Sequence, residues 1–214
     1  MSLRAWLALG MVIGVIGWWF SPASPRAAPV PVHAAGASID CRLPPRVSSG
    51  DSPRQTDIPA SLAPFRLQAA TLKPLAGFSV EARVLSREDY SVGREADLSP
   101  TDLALGWGRM RDDDVLSRLD ISQGGRFYSY RWEDQPPLPP PEIVRSSANM
   151  HLIPANEAAA EALRRVRKDD RVRIDGWLVE AEAADGWRWR SSTTREDSGA
   201  GACEVIYVCA IEQQ

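Results

Sequence analysis

The stretch RVRIDGWLVEAEAADGWRWR, residues 171–190, predicts a β-hairpin around which the rest of the fold can be assigned. Apolar and polar residues alternate on both sides of Ala184-Asp185-Gly186, which has the composition of a turn. A two-residue loop would mix polar and apolar side chains on both faces. A three-residue loop with Gly186 in the left-handed region instead matches apolar with apolar and acid with base, pairing Ala181 with Trp189, Glu182 with Arg188 and Glu180 with Arg190. We therefore predict the three-residue loop.

Within the first strand of this hairpin, the apolar residues change phase at Gly176. Val172 and Ile174 occupy one face, whereas Trp177 and Val179 continue the apolar series one residue out of step. A β-bulge inserts one extra residue and so shifts the phase of a strand. The sequence therefore predicts a bulge at Gly176.

Segments before and after the hairpin predict four more strands. Alternating patterns indicate strands over residues 77–87, 121–133 and 142–153, and residues 202–212 are apolar on both faces, as in a central strand. Residues 98–119 are interpreted as two short helical turns.

One helix precedes the hairpin, from Glu157 to about Arg167 with Asn156 as its cap. This order of elements predicts a mainly β domain with helices (α+β). A helix between the third and fourth strands is typical of a small twisted antiparallel barrel like the oligonucleotide- and oligosaccharide-binding (OB) fold. The long gap after the first strand and the extra strand at the end depart from that pattern.

The amino-terminal segment is apolar and has no charge from Ala5 to Phe20. This pattern predicts a transmembrane helix formed by residues 3–20, with an uncleaved anchor favoured over a cleaved signal. The positive charge before the segment predicts that the amino-terminal end stays in the cytoplasm and that the carboxyl-terminal domain is periplasmic or extracellular. We divide the chain into an anchor (1–22), a Pro/Ala/Ser-rich linker (23–64) and one β-rich domain (65–214).

Three cysteines allow one disulfide in such an oxidising compartment. Cys203 and Cys209 lie six residues apart on one predicted strand, which is too far for a bond between them. Cys41 must therefore be a partner in any disulfide. A bond between Cys41 and Cys203 is the candidate, and a pair of buried thiols is the alternative.

A cysteine–histidine site is the sharpest catalytic hypothesis. Cys203 follows a loop of small residues, and the polar face of the strand 142–153 carries His151 and Asn149. A thiolate nucleophile needs a base and a group that orients the base, roles that His151 and either Asn149 or Asp197 could fill. The spacing matches no cysteine-peptidase signature.

A binding face is predicted at Arg126, Tyr128, Tyr130 and Trp132, where aromatic rings interleaved with arginine could stack on sugar rings or peptide groups. The alternative is that these rings belong to the core. We predict no metal site and no cofactor, because the domain has one histidine and Asp112–Asp114 match a helix start. The formal net charge of -3 gives no reason to expect nucleic acid.

Four local strings resemble those of a family of bacterial membrane-anchored extracytoplasmic proteins of unknown function. They are Gly-Trp-Gly-Arg-Met (106–110), Ser-Ala-Asn-Met-His-Leu-Ile-Pro (147–154), Asp-Gly-Trp-Arg-Trp (185–189) and Ser-Gly-Ala-Gly-Ala-Cys-Glu (198–204). The resemblance covers about residues 77–212 and implies a bacterial protein with a shared extracytoplasmic domain. Together with the apolar segment, it predicts a single-pass protein of the bacterial inner membrane. It implies no activity and no ligand.

The sequence therefore favours a non-enzymatic binding or scaffold module of the bacterial envelope. It would be tethered to the membrane and would bind a glycan, a peptide or another envelope protein. The alternative is a cysteine-dependent envelope enzyme that uses Cys203 and His151.

Overall fold

The computed structural model describes residues 3–19, 41, 44–194 and 202–214. In chain order the strands are β1 (Arg54–Thr56), β2 (Phe65–Arg66), β3 (Thr71–Asp89), β4 (Thr101–Gly106), β5 (Asp120–Gly124), β6 (Phe127–Arg131), β7 (Ser147–Pro154), β8 (Arg171–Glu182), β9 (Arg188–Arg190) and β10 (Glu204–Gln213). The helices are α1 (Leu3–Trp19), α2 (Arg94–Leu98), α3 (Asp113–Leu116), α4 (Pro140–Arg145) and α5 (Glu157–Arg165), and a 3-10 turn spans Gly108–Arg111.

Five of these strands form a closed ring in the order β3, β4, β7, β10, β8 and back to β3. The ring closes because β8 pairs with β3 as well as with β10. Strand β10 lies between β7 and β8 and runs parallel to β7, while the other ring pairings are antiparallel. The chain is therefore mostly β with some helices (α+β), as predicted, and its main sheet is a closed ring.

The inside of the ring is filled by alternate residues of all five strands. Each fully buried aliphatic or aromatic side chain contributes roughly 1.5–3 kcal/mol to folding. The interior set includes Phe78, Val80, Leu103, Leu105, Met150, Leu152, Ile174, Leu178, Ile206 and Val208. On β7 the intervening residues Ser147, Asn149 and His151 therefore lie on the outside of the barrel, on the face that the sequence predicted to be polar.

The second strand of the ring is β4, which the sequence analysis missed. All six residues of β4 are buried, so the segment lacks the alternation that reveals a half-buried strand. The prediction of one strand over residues 121–133 is wrong. These residues form the two-stranded hairpin β5–β6, which is a separate sheet outside the ring.

The predicted bulge at Gly176 is also wrong. Strand β8 pairs without interruption through Gly176, and the register shifts lie on its neighbours, between Pro74 and Ala76 and between Val208 and Ala210. The apparent change of phase arises because the outer face of β8 is apolar from Trp177 onward and packs in a second apolar cluster. Gly176 is required for a different reason, since a Cβ there would collide with the carbonyl oxygen of Tyr207.

The β8–β9 hairpin has the predicted three-residue loop. Gly186 has a φ of 88°, and its N–H donates to the carbonyl of Ala183 at 3.0 Å. The pairs Ala181–Trp189, Glu182–Arg188 and Glu180–Arg190 are those predicted, with ion-pair distances of 3.0 and 2.7 Å for the last two. Helix α5 is likewise confirmed, and the Asn156 side chain accepts a hydrogen bond from the Ala159 N–H at 2.9 Å.

Part of the segment predicted as a linker lies against the barrel. Strand β1 pairs with β3, and Val47 is buried. Arg46 lies 3.6 Å from the buried carboxylate of Asp175, whose other oxygen accepts a hydrogen bond from the Ser79 hydroxyl at 2.6 Å. Residues 44–56 therefore cover the outer face of β3 and β8.

The disulfide joins Cys41 to Cys209, not to Cys203 as predicted. Cys41 is a partner, as the spacing of the other two cysteines required, and its Cα lies 5.6 Å from that of Cys209. Cys209 is selected because the outer face of β10 near its register shift packs on an apolar cluster that also holds Cys41. Cys203 lies immediately before the first residue of β10, six residues from Cys209.

The predicted membrane segment forms helix α1, which has 17 residues. Its large apolar side chains, among them Trp6, Met11 and Trp18, are exposed. Among the described residues, no helix combines the length and the apolar character needed to cross a membrane.

Candidate functional site

Buried polar side chains gather on the outer face of β4 and β7. The antiparallel register places Asp102 opposite His151, and both side chains are almost inaccessible to solvent, at 0% and 3% exposed. Asp102 Oδ2 lies 2.9 Å from His151 Nδ1, within ion-pair distance, although this contact does not have the geometry of a hydrogen bond. Asn149 also reaches Asp102, with 3.4 Å between Nδ2 and Oδ2.

The turn of the β5–β6 hairpin inserts Arg126 into this cluster. Gly125 and Arg126 have φ values of 59° and 72°, as a two-residue type I′ turn requires at both central positions. The Arg126 guanidinium donates to Asp102 Oδ1 at 2.7 Å and to the carbonyl of Ser99 at 2.9 Å. It also lies 3.7 Å from the centre of the Tyr90 ring, a cation–π contact.

The backbone of Arg126 is held as firmly as its side chain. Its N–H donates to the Tyr90 hydroxyl at 2.9 Å. Its carbonyl accepts from Asn149 Nδ2 at 3.0 Å and lies 3.9 Å from the Cys203 thiol. The structure thus brings Cys203 and Asn149 to one carbonyl group, beside the paired Asp102 and His151.

A tryptophan covers this cluster from the β8–β9 hairpin. The Trp189 ring lies 4.6 Å from the His151 ring and 5.7 Å from the Arg126 guanidinium. A carboxylate beside an imidazole is the arrangement that orients a general base. Here, however, the imidazole lies beneath Trp189, so a substrate could reach it only after Trp189 or the β5–β6 hairpin had moved. Asp197, the other predicted orienting group, lies outside the described residues.

The predicted binding rings share one face of β6 and the residue after it. Tyr128, Tyr130 and Trp132 follow one another with centroid separations of 5.6 and 6.1 Å, and all three are partly buried against the cluster that contains Ile143. Burial raises the pKa of Tyr128 far above its usual value, and the Tyr128 hydroxyl lies 2.5 Å from the Ser147 hydroxyl. Arg126, the fourth predicted member, lies apart from the rings in the cluster around Asp102.

An open cleft of about 850 Å³ lies at the base of the same hairpin. Trp132 is its aromatic wall, and charged residues of both signs surround it. The lining consists of Ser117, Arg118, Leu119, Asp120, Arg131, Trp132, Glu133, Asp134 and Gln135. Of the predicted binding residues, the structure therefore places Trp132 where a ligand could reach it.

The described residues contain no group of three or more histidine, cysteine, aspartate or glutamate side chains arranged to hold a metal ion.

Sequence analysis missed Asp102, Gln123 and Trp189 as members of the polar cluster. Asp102 follows Ser99-Pro100-Thr101, which looks like the start of a helix. The apolar run Leu103-Ala104-Leu105 could have indicated a buried strand, and a carboxylate at the start of such a strand needs partners. Gln123 donates to Asn149 Oδ1 at 2.6 Å, but this contact depends on a hairpin turn that the sequence did not predict.

Comparison of the chain with protein-family models, with curated proteins and with solved structures finds no match. The class that the geometry defines is an α+β protein built on a closed ring of strands, with an outer hairpin that bears one open cleft.

Proposed function

We propose that this chain is a non-enzymatic binding module and that a glycan binds in the cleft beside Trp132. The observation that carries the proposal is an aromatic ring in the wall of an open cleft with charged side chains of both signs around it. An aromatic ring offers a large, rigid apolar surface at low cost in conformational entropy, and the apolar face of a sugar ring can stack on it.

The polar lining of the cleft suits the hydroxyl groups of a sugar. Asp120 and Glu133 offer carboxylate oxygens that accept hydrogen bonds, while Arg118 and Arg131 offer donors. Arginine can also pair with a carboxylate on the ligand. A charged glycan such as a peptidoglycan fragment fits this mixed lining better than a purely apolar ligand does.

The strand order supports a finer proposal, that the barrel is OB-like. The five ring strands follow the order first, second, third, fifth, fourth, and α5 lies between the third and the fourth. Oligosaccharide binding occurs in this fold on the face of the second and third strands. In this chain the β5–β6 hairpin covers that face, so the proposed ligand site lies on the hairpin instead. The fold argument is one of analogy.

Location in the bacterial envelope is part of the same proposal. The Cys41–Cys209 disulfide supports an oxidising compartment such as the periplasm, because disulfides are rare in the cytosol. The exposed apolar side chains of α1 support attachment to a lipid surface. A glycan of the cell envelope would be within reach of a domain held in this way.

Replacement of Trp132 by alanine is expected to weaken glycan binding at least tenfold, roughly the effect of losing an aromatic hot spot. The measurement is calorimetric titration of the full chain with soluble peptidoglycan fragments and with oligomers of N-acetylglucosamine. Trp187→Ala is the matched control, because Trp187 is a partly buried tryptophan in another part of the domain. The proposal fails if the wild type binds none of these fragments or if Trp132→Ala binds them equally well.

The second candidate function is cysteine chemistry at Cys203 with His151 and Asn149. It is favoured by the contact of Asp102 with His151 and by the carbonyl of Arg126, which both Asn149 and Cys203 approach. If His151 activates the thiol, His151→Ala will slow alkylation of Cys203 by iodoacetamide about tenfold near neutral pH. A rate that is unchanged by His151→Ala contradicts this candidate.

A further inference from the structure

The tip of the β5–β6 hairpin is held against the barrel by two polar side chains, Gln123 and Arg126. Gly124 and Gly125 have open space where a Cβ would stand, and the Phe127 side chain is 48% exposed. The apolar contacts of the hairpin begin at Tyr128, just after the tip, and continue toward the base at Ile121 and Tyr130. Residues 123–127 therefore depend on polar contacts to stay against the barrel.

Arg126 makes most of those contacts and makes them in an unfavourable backbone conformation. Its φ of 72° lies in the left-handed region, which residues with a Cβ rarely adopt. The contacts of its guanidinium, N–H and carbonyl must outweigh this preference. Asp102, Ser99 and Tyr90 together form a pocket that fits a guanidinium, with a buried carboxylate on one side and an aromatic ring on its face.

Beneath the tip lies a surface of hydrogen-bonding groups. Asn149 and His151 are buried there, and Gln123 of the hairpin bonds to Asn149 at 2.6 Å. Polar groups of this kind lose little when the cover opens, because water can replace the hairpin as their partner. An apolar surface would instead resist exposure.

We propose that the hairpin tip is a latched cover and that Arg126 in its guanidinium pocket is the latch. Release of Arg126 from Asp102 lifts residues 123–127 and uncovers Asn149, His151 and the Cys203 thiol for a polar ligand, while the barrel stays closed. A guanidinium group, such as the arginine side chain of another protein, is the ligand chemistry that competes for the pocket. This proposal is independent of the glycan cleft, which lies at the other end of the hairpin.

Arg126→Gly is the variant that tests the latch, because glycine accepts the left-handed turn and removes only the side chain. Arg131→Ala is the control, since it removes an exposed arginine from the same hairpin. Two measurements report opening: hydrogen exchange of the amides of residues 121–130, and the rate at which a thiol reagent labels Cys203. Cys203 is the cysteine left outside the disulfide.

In Arg126→Gly we expect labelling of Cys203 and exchange of the hairpin amides to accelerate roughly ten- to hundredfold, the effect of losing hydrogen bonds to a charged group. Exchange in β3 and β8 should accelerate much less than exchange in the hairpin. In the wild type, millimolar methylguanidinium should compete with Arg126 for the pocket and accelerate labelling of Cys203, whereas methylammonium should not.

Four results would overturn the proposal. The rate of Cys203 labelling and the exchange rates of the hairpin amides could be the same in Arg126→Gly as in Arg131→Ala. That result would mean that the Arg126 side chain does not hold the tip against the barrel. Exchange of the hairpin amides and of the barrel amides could accelerate to the same extent, or Arg126→Gly could fail to fold. Either result would mean that the tip does not open separately from the barrel. Failure of methylguanidinium to accelerate labelling of the wild type would show that the pocket does not recognise a guanidinium from outside.

Discussion

Removal of the disulfide, in the double variant Cys41→Ala/Cys209→Ala, is expected to lower the free energy of unfolding by about 2–5 kcal/mol. The bond joins residues 168 apart in sequence, so in the unfolded chain it closes a very long loop and restricts many conformations. Its loss frees those conformations. It also releases the covalent hold on the chain that leads into residues 44–56, which cover β3 and β8.

Urea denaturation of the wild type and of the double variant, followed by tryptophan fluorescence, measures this effect. Cys203→Ala is the control, because it removes a partly buried cysteine that is not in the disulfide. We expect it to lower the free energy of unfolding much less than the double variant does. Reduction of the wild type should reproduce the result of the double variant. An unchanged denaturation midpoint after reduction would contradict the prediction.

Replacement of Asp102 by asparagine is expected to destabilise the domain by about 3–5 kcal/mol, the usual cost of removing one partner from a buried ion pair. The Asp102 side chain is fully buried, and the Arg126 side chain is only 18% exposed. Asparagine retains the size of aspartate but leaves the guanidinium without its counter-charge in a site with little access to water. The same change removes the carboxylate beside His151.

Glu182→Gln is the matched control for this acid-to-amide change. Glu182 pairs with Arg188 at 3.0 Å, but its side chain is 50% exposed, so water can replace the partner. The denaturation midpoint of Glu182→Gln should stay close to that of the wild type. Equal effects of Asp102→Asn and Glu182→Gln would show that the cluster around Arg126 contributes no more than a surface ion pair.

The β8–β9 hairpin was predictable because its two strands are adjacent in sequence. Each loop length implies one set of cross-strand pairs, and only the three-residue loop matches Ala181 with Trp189 and Glu182 with Arg188. The choice could therefore be made without knowing the rest of the fold. The Asn156 cap of α5 is local in the same sense.

The β5–β6 hairpin was not predictable on the same basis. A type I′ turn needs positive φ at both central positions, and the second of these is Arg126, a residue that disfavours such a conformation. Contacts with Tyr90, Asp102 and Asn149, which are distant in sequence, hold it there. Tertiary contacts thus override the local preference.

The candidate sites also combine residues that local sequence patterns predict with residues that only distant contacts bring together. The polar face of Asn149 and His151 follows from strand alternation alone, so the sequence predicts it. Asp102 becomes a partner of His151 only through the register of β4 against β7, and β4 has no alternating pattern. The sequence likewise shows aromatic residues near Trp132 but cannot show that a cleft opens beside that ring.

The position of β10 has a consequence for biosynthesis. This strand follows β7 and β8 in the chain yet lies between them, so a nascent chain that has not reached residue 204 has made every other ring strand but cannot close the ring. Until then β7 and β8 each present an unpaired edge, which is a template for association with other chains. Fragments that stop before β10 should therefore aggregate, and the newly made chain exposes the same two edges until its last ring strand is synthesised.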